Sequence, residues 1–268
     1  RSAMSTQWPG HRWNPCRSDS VAWTIASMAL PGPPIRKAPV RVVAIDPGHG
    51  GVDNGKVGVT GILEKDVNLE VSLMLRERLM SELGVEVVMT RTEDELIPFD
   101  RRVEIANAAS ADIFISVHCN GWYHSSAGGV ETFFLAPART EEEARLAREE
   151  NASIGFENPE LDPEEIDDLD FILWDMVQNE YINESSGLAE IVQKELAGVL
   201  DIRNRGVKQG GLRVLKGLRM PGVLVELAFL SNPREEELLL SEDFREQAVR
   251  GLVEAVRRYQ ESHAAYNR

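Results

Sequence analysis

Residues 42–51 read VVAIDPGHGG, and this stretch decides both the fold class and the place to look for a site. Its four leading apolar residues indicate a buried strand, which runs directly into Asp46. His49 then stands among glycines, which leave space around its imidazole ring. The stretch therefore predicts a histidine that is open to a ligand just beyond the end of a strand.

Short apolar runs alternate with helical periodicity along the rest of the chain. In addition to the run at 41–45, the predicted strands are 85–89, 112–117, 129–135, 212–215 and 223–227. The predicted helices are 66–83, 99–109, 140–152, 176–200, 233–240 and 242–260. This alternation predicts an α/β fold with a single twisted, mostly parallel β-sheet of about six strands, covered by helices on both faces. Such sheets bind ligands beyond the carboxyl ends of their strands.

Composition excludes several classes of protein. The chain of 268 residues is 43% hydrophobic, which is enough for a core. No apolar run approaches the ~20 residues of a membrane span. The two cysteines lie far apart and match neither a CxxC zinc cluster nor a disulfide scaffold. Residues 141–184 hold 16 acidic and two basic side chains, so the remainder is nearly neutral and has no basic stripe for a nucleic acid.

The chain is predicted to have two parts. Residues 1–39 combine polar residues, a short apolar stretch and a proline-rich end, which is typical of a disordered leader or linker. The order of basic, apolar and small residues also fits an export signal that is cleaved after Ala29. Residues 40–262 are predicted to form one folded domain, with the acidic, partly helical segment 141–184 as an insertion.

Two histidines are the first candidates for chemistry. His49 and His118 each follow an apolar strand, so both are expected at one edge of the sheet, where imidazole nitrogens can converge on a metal. Each could instead be a structural histidine, but the pair favours the metal. Asp46 could accept a hydrogen bond from His49, and Asn120 could contact substrate. Both of these residue types are also common in turns.

Two glutamates complete the candidate set. Glu64 precedes the first long helix, where it could be a third metal ligand or only a charge at a helix N-terminus. Glu226 lies in VLVELAFL, a strand in which an unpaired buried carboxylate is costly. Glu226 is therefore expected to be metal-bound, catalytic or paired with an arginine such as Arg101 or Arg213.

Six motifs in order, between about residues 41 and 260, resemble the zinc-dependent N-acetylmuramoyl-L-alanine amidases that cut bacterial peptidoglycan. They are VVAIDPGHGG, GILEKDVNL, FISVHCN, GVETFFL, NRGVKQGGLRVL and MPGVLVELAFLSNPREEELL. The resemblance implies that 40–262 is an amidase domain with one Zn²⁺ as cofactor. It also implies peptidoglycan as the substrate, and a location in the periplasm or cell envelope after export.

The resemblance also implies roles for individual residues. The zinc ligands of the family fall on His49, Glu64 and His118, and its catalytic glutamate falls on Glu226. Glu226 would then act as general base while zinc activates water and polarises the amide carbonyl. Cys119 stands where the family usually has alanine, and it is expected to point to the opposite side of the strand from His118.

The acidic insertion has a counterpart in the cell-separation amidases of this family, where a helix covers the zinc site until a partner protein removes it. The stretches 144–153 and 173–181 resemble the borders of that insertion, and Glu150 is the candidate for blocking the metal. An activator protein acting on 141–184 is therefore expected. The alternative is a solvated acidic loop, but its apolar residues favour docking.

Two other functions remain open at this point. One is a zinc peptidase of related architecture that cuts ordinary peptides. The other is a non-enzymic envelope protein that binds peptidoglycan, which the intact set of ligands and Glu226 argue against.

Overall fold

The computed structural model describes the backbone of residues 40–157 and 169–266, and the side chains of 40–157 and 181–262. The predicted leader, 1–39, and the middle of the acidic insertion lie outside the described residues. In the described part of the chain, no helix combines the length and the apolar character needed to cross a membrane.

A six-stranded sheet forms the centre of the fold, and its strand order is β2-β1-β3-β6-β4-β5. The strands are β1 (Val42–Pro47), β2 (Glu86–Met89), β3 (Ile113–Asn120), β4 (Val130–Leu135), β5 (Asn204–Gly210) and β6 (Gly222–Phe229). Every neighbouring pair is parallel except β4 and β6, which are antiparallel. The predicted single, mostly parallel sheet is therefore confirmed.

Helices cover both faces of the sheet, as predicted. They are α1 (Glu64–Leu83), α2 (Phe99–Ala108), α3 (Glu141–Asn151), α4 (Ile154–Glu157), α5 (Leu169–Val199), α6 (Pro233–Leu240) and α7 (Glu242–Tyr266). One face packs against α1, α5 and α7 through a continuous apolar core. The opposite face packs against α2, α3 and a short 3₁₀ turn, Arg213–Leu215. Residues of β1 alternate between these cores, since Val43 and Ile45 lie in the first and Ala44 in the second.

One predicted strand is wrong. The apolar run 212–215 forms the 3₁₀ turn, and the strand at the edge of the sheet is β5, which precedes it. β5 reads NRGVKQG, and among the described strands it pairs with β4 alone, so most of its residues are half exposed and need not be apolar. Leu212, Val214 and Leu215 are apolar because the turn inserts them into the second core.

Leu196 of α5 tests the packing of the first core. Leu196 is fully buried. Its side chain packs closely against Gly251 of α7, since a Cβ added to Gly251 would lie 3.0 Å from Leu196 Cδ2. We expect Leu196→Ala to lower the free energy of unfolding in urea by about 2–5 kcal/mol, because it leaves a cavity between the two helices.

Leu240→Ala is the matched control, since Leu240 ends α6 with 48% of its surface exposed. Its unfolding free energy is expected to stay within about 0.5 kcal/mol of the parent. Equal costs for the two leucines would contradict the packing described here.

Candidate metal centre

The loop after β1 brings His49 back over the end of the sheet. His49 has a φ of 60°, in the left-handed region that residues with side chains seldom occupy. Gly48 precedes it, and a Cβ at this position would lie 2.3 Å from Cε1 of His118. The glycine is therefore required for the His118 ring to lie directly against the loop. A residue other than glycine with a positive φ, such as His49, is often found at a functional site.

Two buried arginines hold this loop by its main-chain carbonyls. Arg91 donates to the oxygens of Pro47 and Gly48, at 3.0 and 2.8 Å. Arg102 donates to the oxygens of Pro47 and His49, at 2.7 and 2.8 Å. Burial and the neighbouring charge of Arg102 lower the pKa of Arg91 to about 10, so the Arg91 guanidinium still carries its charge at neutral pH.

His49, Glu64 and His118 meet at this edge of the sheet, and all three are buried. Oε1 of Glu64 lies 3.2 Å from His49 Nε2 and 3.2 Å from His118 Nδ1. The ring centroids of the two histidines are 4.9 Å apart. His49 and His118 are 69 positions apart in the sequence. They meet because β1 and β3 are adjacent parallel strands, and Glu64 joins them because α1 follows the loop after β1.

Glu64 begins α1, and three hydrogen bonds fix its carboxylate: one from the preceding loop, one from β3 and one from the next turn of α1 itself. Oε2 accepts from the Lys56 main-chain nitrogen at 2.8 Å. Oε1 accepts from the main-chain nitrogen of Cys119 and from Asn68 Nδ2, both at 3.1 Å. Glu64 is therefore more than a charge at a helix N-terminus, because its side chain is directed into the histidine pair.

Glu150 of α3 adds a fourth donor atom to this group. Its Oε2 lies 3.3 Å from His49 Nε2 and 3.0 Å from His118 Nδ1. Burial lowers the pKa of His118, but the negative charge and close approach of Glu150, together with a hydrogen bond to Glu64, outweigh it and raise that pKa to about 10. The positive charge of the protonated His118 imidazole therefore offsets the negative charges of Glu64 and Glu150 when no metal is bound.

The donor set fits a divalent metal. One atom from each of His49, Glu64, His118 and Glu150 lies within 4.8 Å of all the others. The four carboxylate–imidazole separations are 3.0–3.3 Å, close to the roughly 3.3 Å expected between donors that surround one tetrahedral divalent cation at about 2.0–2.1 Å. Nε2 of His49 and Oε2 of Glu150 are buried, and neither has a hydrogen-bond partner within the described part of the chain. The group is therefore consistent with a metal site.

Asp53 holds the ring of His49. Its Oδ2 lies 2.8 Å from His49 Nδ1, so it orients the ring and leaves Nε2 to face the other donors. Oδ2 also accepts a hydrogen bond from Ser153, which follows α3, at 2.6 Å. Sequence reasoning missed Asp53. The available signal was an acidic residue four positions after His49, in the same glycine-containing loop.

Asp46, which the sequence suggested as the partner of His49, has other contacts. Its carboxylate accepts hydrogen bonds from Thr90 at 2.5 Å and Ser116 at 2.7 Å, and pairs with Arg102 at 2.8 Å. Burial raises the pKa of Asp46, but Arg102 and these hydrogen bonds lower it overall. Asp46 reaches His49 only indirectly, because it lies within β1 and directs its side chain to the arginine beneath the loop.

Asn120 is also engaged within the protein. Its side-chain nitrogen donates to Glu131 at 2.7 Å, and its oxygen accepts from the main-chain nitrogen of Gly121 at 2.7 Å. These contacts fix the end of β3. Cys119 is buried in the first core, on the side of the sheet opposite the metal group, as its position beside His118 predicted.

Glu226 lies beside the group on β6, where it pairs in register with His118. It is fully buried, and neither of its carboxylate oxygens has a hydrogen-bond partner among the described residues. Arg101, which the sequence suggested as a possible partner of Glu226, pairs with Glu104. Burial raises the pKa of Glu226 well above its usual range, and the negative charge of Glu150 adds to this rise. Such a carboxylate is free to exchange a proton with a ligand.

A buried set of imidazole and carboxylate donors, with an unpaired glutamate beside it at the edge of an α/β sheet, is typical of metal-dependent hydrolases. Residues 43–258 match the family model described as N-acetylmuramoyl-L-alanine amidase, and the chain belongs to this family. The family, fold class and enzyme class predicted from the sequence are therefore confirmed.

Individual relatives agree with this assignment. The amidase AmiA of Escherichia coli is 35% identical over 225 residues, which cover 82% of this chain and 76% of AmiA. AmiC of Neisseria meningitidis is 34% identical over 81% of this chain, but the chain spans only 52% of AmiC. The crystal structure of an N-acetylmuramoyl-L-alanine amidase from Clostridium difficile 630 superposes with a TM-score of 0.64 at 28% identity, covering 84% of this chain and 99% of that one.

Asp53→Ala tests the orientation of His49. We expect metal affinity to fall by about 10–100-fold, because the imidazole loses the acceptor that fixes its ring. Affinity is measured by competition with a chromogenic chelator.

Asp66→Ala is the control, because Asp66 lies exposed in the first turn of α1. It removes one negative charge close to Glu64 without touching either histidine. Equal affinities for the parent and the Asp53 variant would show that Asp53 does not position the ligand.

Proposed function

We propose that this amidase uses one zinc ion, held by His49, Glu64 and His118, to hydrolyse the amide bond between N-acetylmuramic acid and L-alanine in peptidoglycan. The gathering of these three donors beside the unpaired Glu226 is the observation that supports it most strongly. Two histidines and a glutamate, with one position left for water, form a known type of catalytic zinc site. Family membership supplies the substrate.

In this mechanism Glu226 moves the proton. When bound, zinc supplies Lewis-acid chemistry, which lowers the pKa of water and polarises a carbonyl. Glu226 accepts a proton from the attacking water as the new C–O bond forms at the amide carbon. It then delivers that proton to the amide nitrogen, so that the C–N bond breaks and the L-alanine amine leaves. Since no described residue forms a hydrogen bond with Glu226, both of its oxygens are available for this transfer.

Glu226→Gln tests the base. We expect turnover of muropeptides to fall by at least about 100-fold, because glutamine cannot accept the proton. Bound zinc, measured by elemental analysis, is expected to stay at the parent level, since Glu226 is not among the proposed ligands.

Glu237→Gln is the control, because it makes the same change on the exposed side of α6. A Glu226 variant that keeps its turnover would contradict the mechanism. Cleavage of plain peptides as fast as muropeptides would favour the alternative of a general zinc peptidase.

We propose further that the described conformation is a covered form of the enzyme. Glu150 Oε2 lies 3.3 Å from His49 Nε2 and 3.0 Å from His118 Nδ1, so it would compete with water for a metal held by these residues. Neighbouring contacts hold the helix in place: Arg145 lies over the Trp122 ring at 3.7 Å, and Ser153 bonds to Asp53. A partner protein that binds the segment 141–184 and withdraws α3 would then activate the enzyme.

The substrate also supports a location. Peptidoglycan lies outside the cytoplasmic membrane, so we propose that the enzyme acts in the cell envelope after export. The predicted export signal within 1–39 lies outside the described residues.

Glu150→Ala tests the covered form. We expect basal amidase activity to rise by about tenfold, because removing one charged contact worth ~1.5 kcal/mol shifts the covered form toward the open form. Activity is measured on purified sacculi by dye release, with zinc content determined in parallel.

Glu141→Ala is the control, since Glu141 begins the same helix with its side chain 83% exposed. Unchanged or lower activity of a zinc-loaded Glu150 variant would contradict a covering role for α3.

A further inference from the structure

Lys56 stands at the rim of the metal centre and has no role in the mechanism above. Its main chain is tied to Glu64 twice, since its nitrogen donates to Glu64 Oε2 at 2.8 Å and its oxygen accepts from Glu64 N at 3.0 Å. Its aliphatic stem crosses Gly121, where a Cβ would meet Lys56 Cγ and Cδ at 3.0–3.1 Å. The position of the ammonium group is therefore fixed relative to a proposed metal ligand.

The ammonium group contacts the covering helix. Nζ of Lys56 lies 2.6 Å from Glu149 Oε2, and the side chains are 28% and 24% exposed. Glu149 is the only partner of this ammonium among the described residues. Glu149 also has a partner within α3, because it pairs with Arg145. Withdrawal of α3 would therefore leave Lys56 unpaired, while Glu149 would keep a cation.

Two consecutive glutamates of α3 thus fill two neighbouring places. Glu150 contacts the two histidines of the proposed metal site, and the adjacent Glu149 contacts Lys56. A substrate that replaces α3 meets the same ammonium group close to its reacting amide. Its chemical counterpart to Glu149 is a carboxylate on the peptide that leaves with L-alanine.

We propose that Lys56 is a specificity-determining residue that binds a free carboxylate of the peptide stem once α3 has moved away. This inference rests on the proposed function and names the part of the substrate that the site selects. A hydrogen bond between charged groups at a half-buried position favours the anionic ligand by about tenfold over its neutral amide. If Lys56 only fastened α3, it would not distinguish one ligand from the other.

The test measures ligand binding to the zinc-loaded full chain carrying Glu226→Gln, which is expected to bind without turnover. The two probes are N-acetylmuramyl-L-alanyl-D-glutamate with a free α-carboxyl group and the same compound with that group as a carboxamide. Calorimetry is expected to give an about tenfold lower Kd for the carboxylate probe. Adding Lys56→Met is expected to abolish this preference, and Lys56→Arg is expected to retain it.

Glu149→Gln is the matched control, because it breaks the same ion pair from the other side and leaves Lys56 in place. We expect it to strengthen binding of both probes and to preserve their ratio. The ratio cancels any change in how often α3 opens, since both probes need the same opening. A preference that survives Lys56→Met, or the absence of any preference in the parent, would overturn the inference. Failure of the proposed function is separate, because it would appear as binding of the probes without hydrolysis by the chain that retains Glu226.

Discussion

The burial of the Glu64 carboxylate between two imidazoles is the interaction on which the rest of the site depends. A buried carboxylate is costly unless charge and hydrogen bonds compensate it. Glu64 receives hydrogen bonds from Lys56 N, Asn68 and Cys119 N, and both histidines lie 3.2 Å from it. The loop of Lys56, the helix α1 and the strand β3 are thereby tied to one group of atoms. A divalent cation at this place would complete the compensation.

The same electrostatic requirement explains how one helix can cover such a site specifically. Glu150 is buried against the two imidazoles, while Glu149 pairs with Lys56. In the covered form that we propose, both pairs would break and both carboxylates would be solvated when α3 leaves. The covering contacts are therefore local and exchangeable, whereas the hydrogen bonds around Glu64 belong to the body of the fold.

The sequence predicts those parts of the structure that follow from burial and strand position. His49 and His118 could be placed because each follows an apolar strand, and Glu226 because a charged residue interrupts one. β5 could not be placed, since an edge strand that is half exposed needs no apolar run. Arg102 acts through contacts with residues more than 50 positions away, and no local pattern marks it. Asp53 is marked only by its place four residues after His49 in the same loop. The actual partner of Asp46 could not be predicted either, because it is Arg102, which lies 56 residues away in the sequence.

The central claim is that His49, Glu64 and His118 hold one zinc ion, and anomalous X-ray scattering at the zinc edge tests it most directly. Crystals of the purified chain are predicted to show one peak, about 2.0–2.2 Å from His49 Nε2, His118 Nδ1 and a carboxylate oxygen of Glu64. A peak at another place, or zinc-loaded protein without a peak between these three side chains, would contradict the account.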